Sequence, residues 1–352
     1  MAPFVNPVDD GCEGLIRADH VGVNPWEPEL DRLAALNSGL ILTRDLRALG
    51  FDDATIGSIG RRLTRVRHGA YVRQLPSDPV ELHRLHARAV VLQHEAWVMS
   101  DSGGSRVPLA DSGITLSHVS AAVFQGFSLS EVDLRTVHIS GAPGRVRGGN
   151  RHWIHSHQVQ FGADETCLVD DLAVTTRART VVDVARVLPL EQALVMADQA
   201  LRMRWVTAPE LASAAERFGS RAGVSGLRRV IGLADGKAES PGETRTRLIL
   251  VQAGLAVESQ VDIHSGDGDF IGRVDLKLRD CAVVVEFDGR FKYAIDGEVE
   301  RAHWLEKQRH DALMDAGFVV ARIYWRDLSD PAVVLRRVHG AISRARRMGF
   351  AG

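Results

Sequence analysis

The feature that most constrains this chain is the run Ala282-Val283-Val284-Val285, which passes directly into Glu286-Phe287-Asp288-Gly289. A run that is apolar at every position and rich in β-branched residues has no polar face to give to water. It reads as a strand covered on both sides, as in the middle of an α/β sheet. Carboxylates begin where the apolar run ends, at Glu286 and Asp288. An acid at the end of a buried strand is unfavourable unless it is paired or bound to metal. The segment therefore points both to a layered architecture and to a place where chemistry can be done.

The flanking text supplies the layers. PGETRTRLILVQAGL predicts a helix with Pro241 in its first turn, an apolar stripe of Leu248, Val251 and Leu255, and Gly254 as its stop. Glu243 and Arg247, four residues apart, are expected to pair on one face. AVESQVDIH and GRVDLKLRD read as strands on either side of the turn SGDGDF. EVERAHWLEKQRHDALMDAGF is a long amphipathic helix with Ala302, Leu305, Leu313 and Ala316 among its apolar positions, closed by Gly317. FVVARIYW and PAVVLRRVHGAI follow as strand and helix, so the order is helix, three strands, helix, strand, helix.

Asp275 and Glu286-Phe287-Asp288 stand on adjacent predicted strands with ten residues between the two acids. Together with SPGETRTR, RVDLKL, VVVEFDGRFKY, EKQRHDALMDAGF and VVARIYW, this arrangement resembles the very-short-patch-repair-like endonuclease domains of the PD-(D/E)xK superfamily, of the type found at the C-termini of actinobacterial proteins. The resemblance implies a restriction-endonuclease-like α/β domain over 243–342 that cleaves phosphodiesters with Mg²⁺ (or Mn²⁺). A hard cation of this kind is held by a few carboxylates and keeps waters as its other ligands. It lowers the pKa of a bound water and clamps phosphate oxygens. Asp275 and Glu286 would be its ligands, with the Phe287 carbonyl, as the resemblance implies, and with Glu243 directly or through water. The family pattern places a lysine two residues after the second acid, where this chain has Asp288. Lys292, aided by Arg290, is the nearest substitute; the alternative is that Asp288 acts as an extra ligand or base. The catalytic set is thus Asp275, Glu286, Asp288 and Lys292. Glu306, Lys307 and Arg309 are expected to face the cleft, with Arg322 near phosphate. The competing reading is structural: Asp275 pairs with Arg273 or Arg322, and Glu286 and Asp288 shape a turn before Gly289.

Near the other end, residues 1–28 lack periodicity and read as an arm. LDRLAALN carries Leu30, Leu33, Ala34 and Leu36 on one helical face, and Gly39 ends it. Thr43 is placed to cap RDLRALG, and Asp52 or Asp53 to cap ATIGSIGRRL. LTRVRHGAYV reads as two strands turning at His68-Gly69. Helix, turn, helix and ribbon over 29–75 make a winged helix-turn-helix. Its second helix would carry Ser58, Arg61 and Arg62 into a major groove, and its ribbon would offer Arg65, Arg67 and Arg73 to phosphates. A winged helix used for docking proteins, with arginines that are merely solvated, is the alternative.

Residues 80–232 read as mixed α/β: helices in LHRLHARAVVLQ and TLSHVSAAVFQGF, strands in VDLRTVHIS and WIHSHQVQF, and a basic glycine-rich loop, SGAPGRVRGGN, between them. His152, His155 and His157 invite a metal reading, and alternation puts His155 and His157 on one strand face. No Cys or acid stands at ligand spacing, which favours solvated histidines or phosphate contacts. Ser117-His118 invites a nucleophile reading but lacks a glycine elbow and an identifiable acid. The winged helix, SHVSAAVFQGF and VTTRARTVVDVAR together resemble the AbiEi-type antitoxin region. That resemblance implies a DNA-binding regulator and a toxin or repair-protein partner. LADGKAESPG, 233–242, is expected to be a linker.

The fold class expected is α+β and multidomain. Composition does little to narrow function: a net charge of −2 over 352 residues does not describe a globally basic DNA binder, but a local basic face suffices. Cys12, Cys167 and Cys281 show no CxxC spacing and read as reduced thiols. No signal pattern opens the chain, and no apolar run approaches the roughly 18 residues of a membrane span. The expectation is a cytoplasmic protein that binds DNA and no membrane.

Overall fold

The structure, a computed structural model, describes residues 25–94, 114–218, 222–289 and 298–350. The chain divides into two compact units, Met1–Leu75 and Pro76–Gly352. Among the described residues, no helix is long and apolar enough to cross a membrane.

The first unit contains α1 (Glu27–Leu36), β1 (Ile41–Leu42), α2 (Thr43–Ala48), α3 (Asp53–Arg62), β2 (Thr64–Arg67) and β3 (Ala70–Val72). Leu30, Leu33, Ile41, Leu46, Ile56 and Ile59 form its core. Leu36, assigned by periodicity to the apolar face of α1, is instead 40% exposed at the helix end. Asp52 caps α3, its carboxylate accepting the Thr55 N–H at 2.7 Å. That bond satisfies one of the donors left open at a helix start. Thr43 does not cap α2: it is the first helical residue, after Leu42. The strands form one antiparallel sheet in the order β1-β3-β2.

The second unit begins with α4 (Pro79–His94), β4 (Thr115–Leu116), α5 (His118–Gln125), β5 (Val137–Gly141), β6 (Gly149–Arg151), β7 (Ile154–Gln158), β8 (Thr166–Val169) and β9 (Leu172–Thr175). The strands build a six-stranded mixed sheet in the order β6-β7-β5-β4-β9-β8. Two details depart from the sequence expectation. SGAPGRVRGGN is not wholly loop, because Gly149–Arg151 pairs antiparallel with β7. Thr166–Val169 adds a hairpin strand against β9. Four helices follow: α6 (Arg177–Val187), α7 (Leu190–Arg202), α8 (Ala208–Glu216) and α9 (Val224–Leu233).

The remainder is α10 (Pro241–Gln252), β10 (Val257–His264), β11 (Phe270–Leu278), β12 (Val283–Asp288), α11 (Glu298–Asp315), β13 (Val319–Tyr324), a single 3₁₀ turn and α12 (Pro331–Arg347). The sheet order is β10-β11-β12-β13, antiparallel except for the parallel pair β12 and β13. On β12, Val283 and Val285 pack with Ile249, Leu250, Val334 and Val338 from α10 and α12. Val284 points the other way, into a cluster with Leu313 of α11. The apolar run is therefore a central strand covered on both faces, and each such valine contributes about 1.5–3 kcal/mol by leaving water.

The stretch expected as a linker, 233–242, is packed rather than free. Asp198 on α7, 1% exposed, accepts the Asp235 N–H at 2.7 Å, the Thr244 hydroxyl at 2.8 Å and Arg247 Nη2 at 2.9 Å. Arg245 pairs with Glu131 and Glu191. Thr244, Arg245 and Arg247 on α10 thus dock that helix on α7, which is why this helix lacks a single apolar stripe. The expected Glu243–Arg247 pair is not formed, because Arg247 is committed to Asp198.

Candidate active site

Asp275 lies on β11 and Glu286 on β12, one residue beyond the registered pair Leu276 and Val285. At this point the two strands carry acids on neighbouring backbones. The Phe287 N–H donates to Asp275 Oδ2 at 2.7 Å, tying the carboxylate to the end of β12. Burial pushes the Asp275 carboxyl up to about 6, and nearby Glu243 and Glu286 push the same way against the Phe287 N–H and Arg309. Asp275 is therefore ionised at neutral pH against the preference of its surroundings.

Glu286 has two guanidiniums near it. Arg309 Nη2 of α11 stands 2.7 Å from Oε1, and Arg322 Nε of β13, its partner in the parallel register, lies 3.9 Å from Oε2. Oε1 is buried and has no hydrogen bond of acceptable direction, so Arg309 balances its charge without satisfying its lone pair. Arg322 also pairs with Glu306 at 3.0 Å, and Arg309 donates to the Arg273 carbonyl at 2.7 Å. Asp275, Glu286, Phe287, Asp288, Glu306, Arg309 and Arg322, with Leu305, line one cleft of about 470 Å³. The structural pairing considered for Asp275 is not formed: Arg273 binds Asp262 at 2.7 Å, and Arg322 pairs with Glu306 and lies near Glu286.

The cleft assembles seven of the residues named from sequence or resemblance and leaves others out. Glu243 is 7% exposed and does not line it. Its Oε1 accepts the Ser240 hydroxyl at 2.8 Å, and its Oε2 accepts Glu239 N–H at 2.8 Å and Gln260 Nε2 at 2.9 Å. Glu243 is thus a capping and strand-tethering residue that acts on Asp275 through its charge. Lys307 is exposed and outside the lining. Lys292 and Arg290 lie outside the described residues. Gly242, which no motif singled out, sets the floor: a Cβ there would fall 2.0 Å from Phe287 Cε1. Only glycine lets the start of α10 meet the Phe287 ring, which is also held edge-on by Trp325 at 5.0 Å.

A pair of carboxylates in a cleft suits a hard divalent cation, which takes oxygen ligands. Asp275 and Glu286 are the residues that could hold it. Arg309 and Arg322 are the guanidiniums that line the same cleft.

In the first unit, Arg61, Arg62 and Arg65 are exposed, and Ser58 is half-buried. Arg62 lies over the Trp26 ring at 5.4 Å. Two ribbon arginines fit the expected phosphate role less well. Arg73 is held by Glu27 at 2.7 Å and Asp31 at 2.6 Å. Arg67 is half-buried with its Nε unpartnered, and that burial pulls its pKa down.

A second group of titratable side chains stands on the six-stranded sheet. His155 and His157 share a face of β7, as alternation predicts, and His138 of β5 and His118 of α5 join them. His152 is exposed and forms no part of this group. His138 carried no sequence signal, because VHIS reads simply as an alternating strand with a solvated polar face.

No protein-family model matches the chain. It is similar to two Mycobacterium tuberculosis proteins, "Uncharacterized protein MT2308" of strain CDC 1551 and "Uncharacterized protein Rv2248" of strain H37Rv, at 32% identity over 177 residues. The match takes in 50% of this chain and spans 64% of the length of those relatives. A crystal structure of the RV2827C protein from the same organism covers 63% of this chain and 80% of its own, at 16% identity and a TM-score of 0.38.

Proposed function

We propose that the chain binds DNA through the winged-helix arrangement of its first unit and hydrolyses phosphodiesters in the cleft at the end of β12. The single observation that carries this reading is the pair of carboxylates, Asp275 and Glu286, on neighbouring strands in a cleft also lined by Arg309 and Arg322. Bound Mg²⁺ or Mn²⁺ would supply an activated water and charge for the phosphate. Asp275 and Glu286 hold the cation, and the Phe287 N–H fixes the orientation of Asp275. Arg322 neutralises phosphate oxygens as charge builds in the transition state. Asp288, which also lines the cleft, acts as a base or extra ligand. In the first unit, the three helices with a β2–β3 ribbon support major-groove docking by α3, with Arg61, Arg62 and Arg65 as the exposed cations. DNA repair or defence against foreign DNA is the setting this chemistry suits.

The test is cleavage of plasmid, nicked, mismatched and single-stranded DNA by the full chain with Mg²⁺ or Mn²⁺. Activity should be lost in Asp275→Ala and in Glu286→Ala. Cleavage that survives both substitutions would remove those residues from the mechanism.

One observation favours a second reading. Arg309 beside Glu286 neutralises the acid without a metal, as a retained scaffold would. On that reading the protein is an antitoxin-like transcriptional regulator with an inactive nuclease fold and a toxin partner. Footprinting upstream of its own gene, with no cleavage under either metal, would favour it.

A further inference from the structure

Two strands of the six-stranded sheet and the start of α5 bring together three imidazoles from separate parts of the sequence, and we propose that His118, His138 and His157 bind a transition-metal ion of the zinc type. One ring nitrogen from each lies within 4.8 Å of those of the other two. His138 Nδ1 and His157 Nε2 are 3.1 Å apart. That is close to the ~3.3 Å between two nitrogen ligands of a tetrahedral ion with bonds of about 2.0–2.1 Å. Without metal, the two rings share one proton across that gap; an ion takes the proton's place, and His118 moves in by a side-chain rotation.

The donor set selects the ion. Three imidazoles and no carboxylate in the cluster disfavour magnesium and calcium, which take oxygen, and favour zinc, copper, cobalt or nickel. Three protein ligands leave the fourth position of a tetrahedron to water or a substrate atom, the pattern of a reactive rather than a purely structural site. His155 stacks on His157 beside the three, with ring centres 4.3 Å apart.

The surroundings are built to orient these rings. His118 Nδ1 lies 2.9 Å from Ser117 Oγ, which accepts the Ser140 hydroxyl at 2.7 Å. A proton on Nδ1, donated to Ser117, leaves Nε2 for a ligand, the arrangement found behind metal-bound histidines. Ser117 and Ser140 are fully buried and His118 is 2% exposed. The His118 backbone has a φ of +51° at the first residue of α5. Non-glycine residues seldom adopt that conformation, and surroundings that enforce it are common at functional sites. Two cations bear on His118, but Arg179 is neutralised by Asp183 and Glu165, and Arg186 donates to the Ala222 carbonyl.

The test uses the full chain, stripped with chelator and titrated with Co²⁺, with tetrahedral d–d absorption as the readout. The expected result is a tetrahedral spectrum that Zn²⁺ abolishes by displacement. His138→Gln and His157→Gln should each weaken binding by about a hundredfold or more, and Ser117→Ala by about ten- to a hundredfold. The Asp275→Ala, Glu286→Ala double variant should bind Co²⁺ here as the parent does, which separates this site from the cleft. Because a histidine variant can fail to fold, imidazole ¹⁵N resonances of the parent protein give a second reading: Zn²⁺ should shift those of His118, His138 and His157. Absent tetrahedral absorption, a spectrum indifferent to His157→Gln, or unshifted imidazole resonances would each overturn the proposal and leave the histidines as a neutral stack.

Discussion

The two sheets of the second unit bury titratable groups in opposite company. On the four-stranded sheet, Asp275 and Glu286 sit beside Arg309 and Arg322, so acid meets base. On the six-stranded sheet, His118, His138, His155 and His157 stack on one another, so bases meet bases. Burial favours the neutral form in both places. It pushes Asp275 up to about 6, and it brings His138 down to about 3 and His157 to about 4, with neighbouring histidines adding to the effect. The result differs because the neutral forms differ in chemistry. A carboxylate held ionised against its surroundings gains from any added cation. A neutral imidazole already has its ligand lone pair exposed. Burial thus acts in opposite directions on the two sets of groups by the same physical means.

The largest effect is expected at the joint between these regions. Asp198→Ala would leave Arg247 buried with only the more distant Asp235 at 3.9 Å, and breaking a buried pair in this way costs about 3–5 kcal/mol. Chemical denaturation should show that drop in stability. A change below about 1 kcal/mol would mean that the packing of α7 on α10 does not hold the two sheets together. Next comes Gly242→Ala, which drives a methyl into Phe287. Overpacking of this kind costs about 1–3 kcal/mol, and because Phe287 N–H holds Asp275, activity should fall more than stability does.

The pH dependence sharpens the contrast further, because the two sites have opposite signs. Asp275 has a folded pKa above its ordinary 3.8, so the folded chain binds the extra proton. Its contribution to stability is full below pH ~4 and is lost as pH rises through about 6. His138 and His157 have folded pKa values below 6.5, so the unfolded chain binds the extra protons. Their contribution is full above pH ~6.5 and is lost as pH falls towards 4. Asp275→Asn, which keeps an acceptor for Phe287 N–H, should gain stability relative to the parent between pH ~4 and ~6. His157→Gln should flatten the acid limb. Parallel pH–stability curves for parent and variants would break the comparison.

The smallest effect belongs to charges that are not buried at all. Arg61→Ala with Arg62→Ala should weaken DNA binding across sequences and reduce the salt slope by about one for each phosphate that is no longer neutralised. Unchanged affinity would contradict docking through α3.

Structure that is local was legible in the sequence, and structure that depends on distant pairing was not. The unbroken apolar run of β12, the alternation of β7 and the Asp52 cap of α3 each declare themselves within a few residues. So do the two acids of the cleft, because the register of β11 against β12 follows from a short connection. Arg309 and Arg322 were legible only as residues facing the cleft; their pairing with Glu286 depends on how α11 lies across the sheet. The histidine cluster was the largest omission. Ser117-His118 and HSH, each taken alone, lack a partner, and the partner is His138, brought in by the parallel pairing of β5 with β7. The linker expected over 233–242 is not one: its Gly, Ala, Ser and Pro content suggests freedom, whereas its backbone is tied to Asp198 through the Asp235 N–H.

The central claim is that the cleft holds a cation. Mn²⁺ binding followed by electron paramagnetic resonance tests it most directly, since this ion prefers oxygen ligands and is the weakest of its series for imidazole. The parent chain should bind Mn²⁺ tightly, Asp275→Ala and Glu286→Ala should each lose that binding, and His157→Gln should retain it. Equal Mn²⁺ binding by the parent and the two acid variants would contradict the claim.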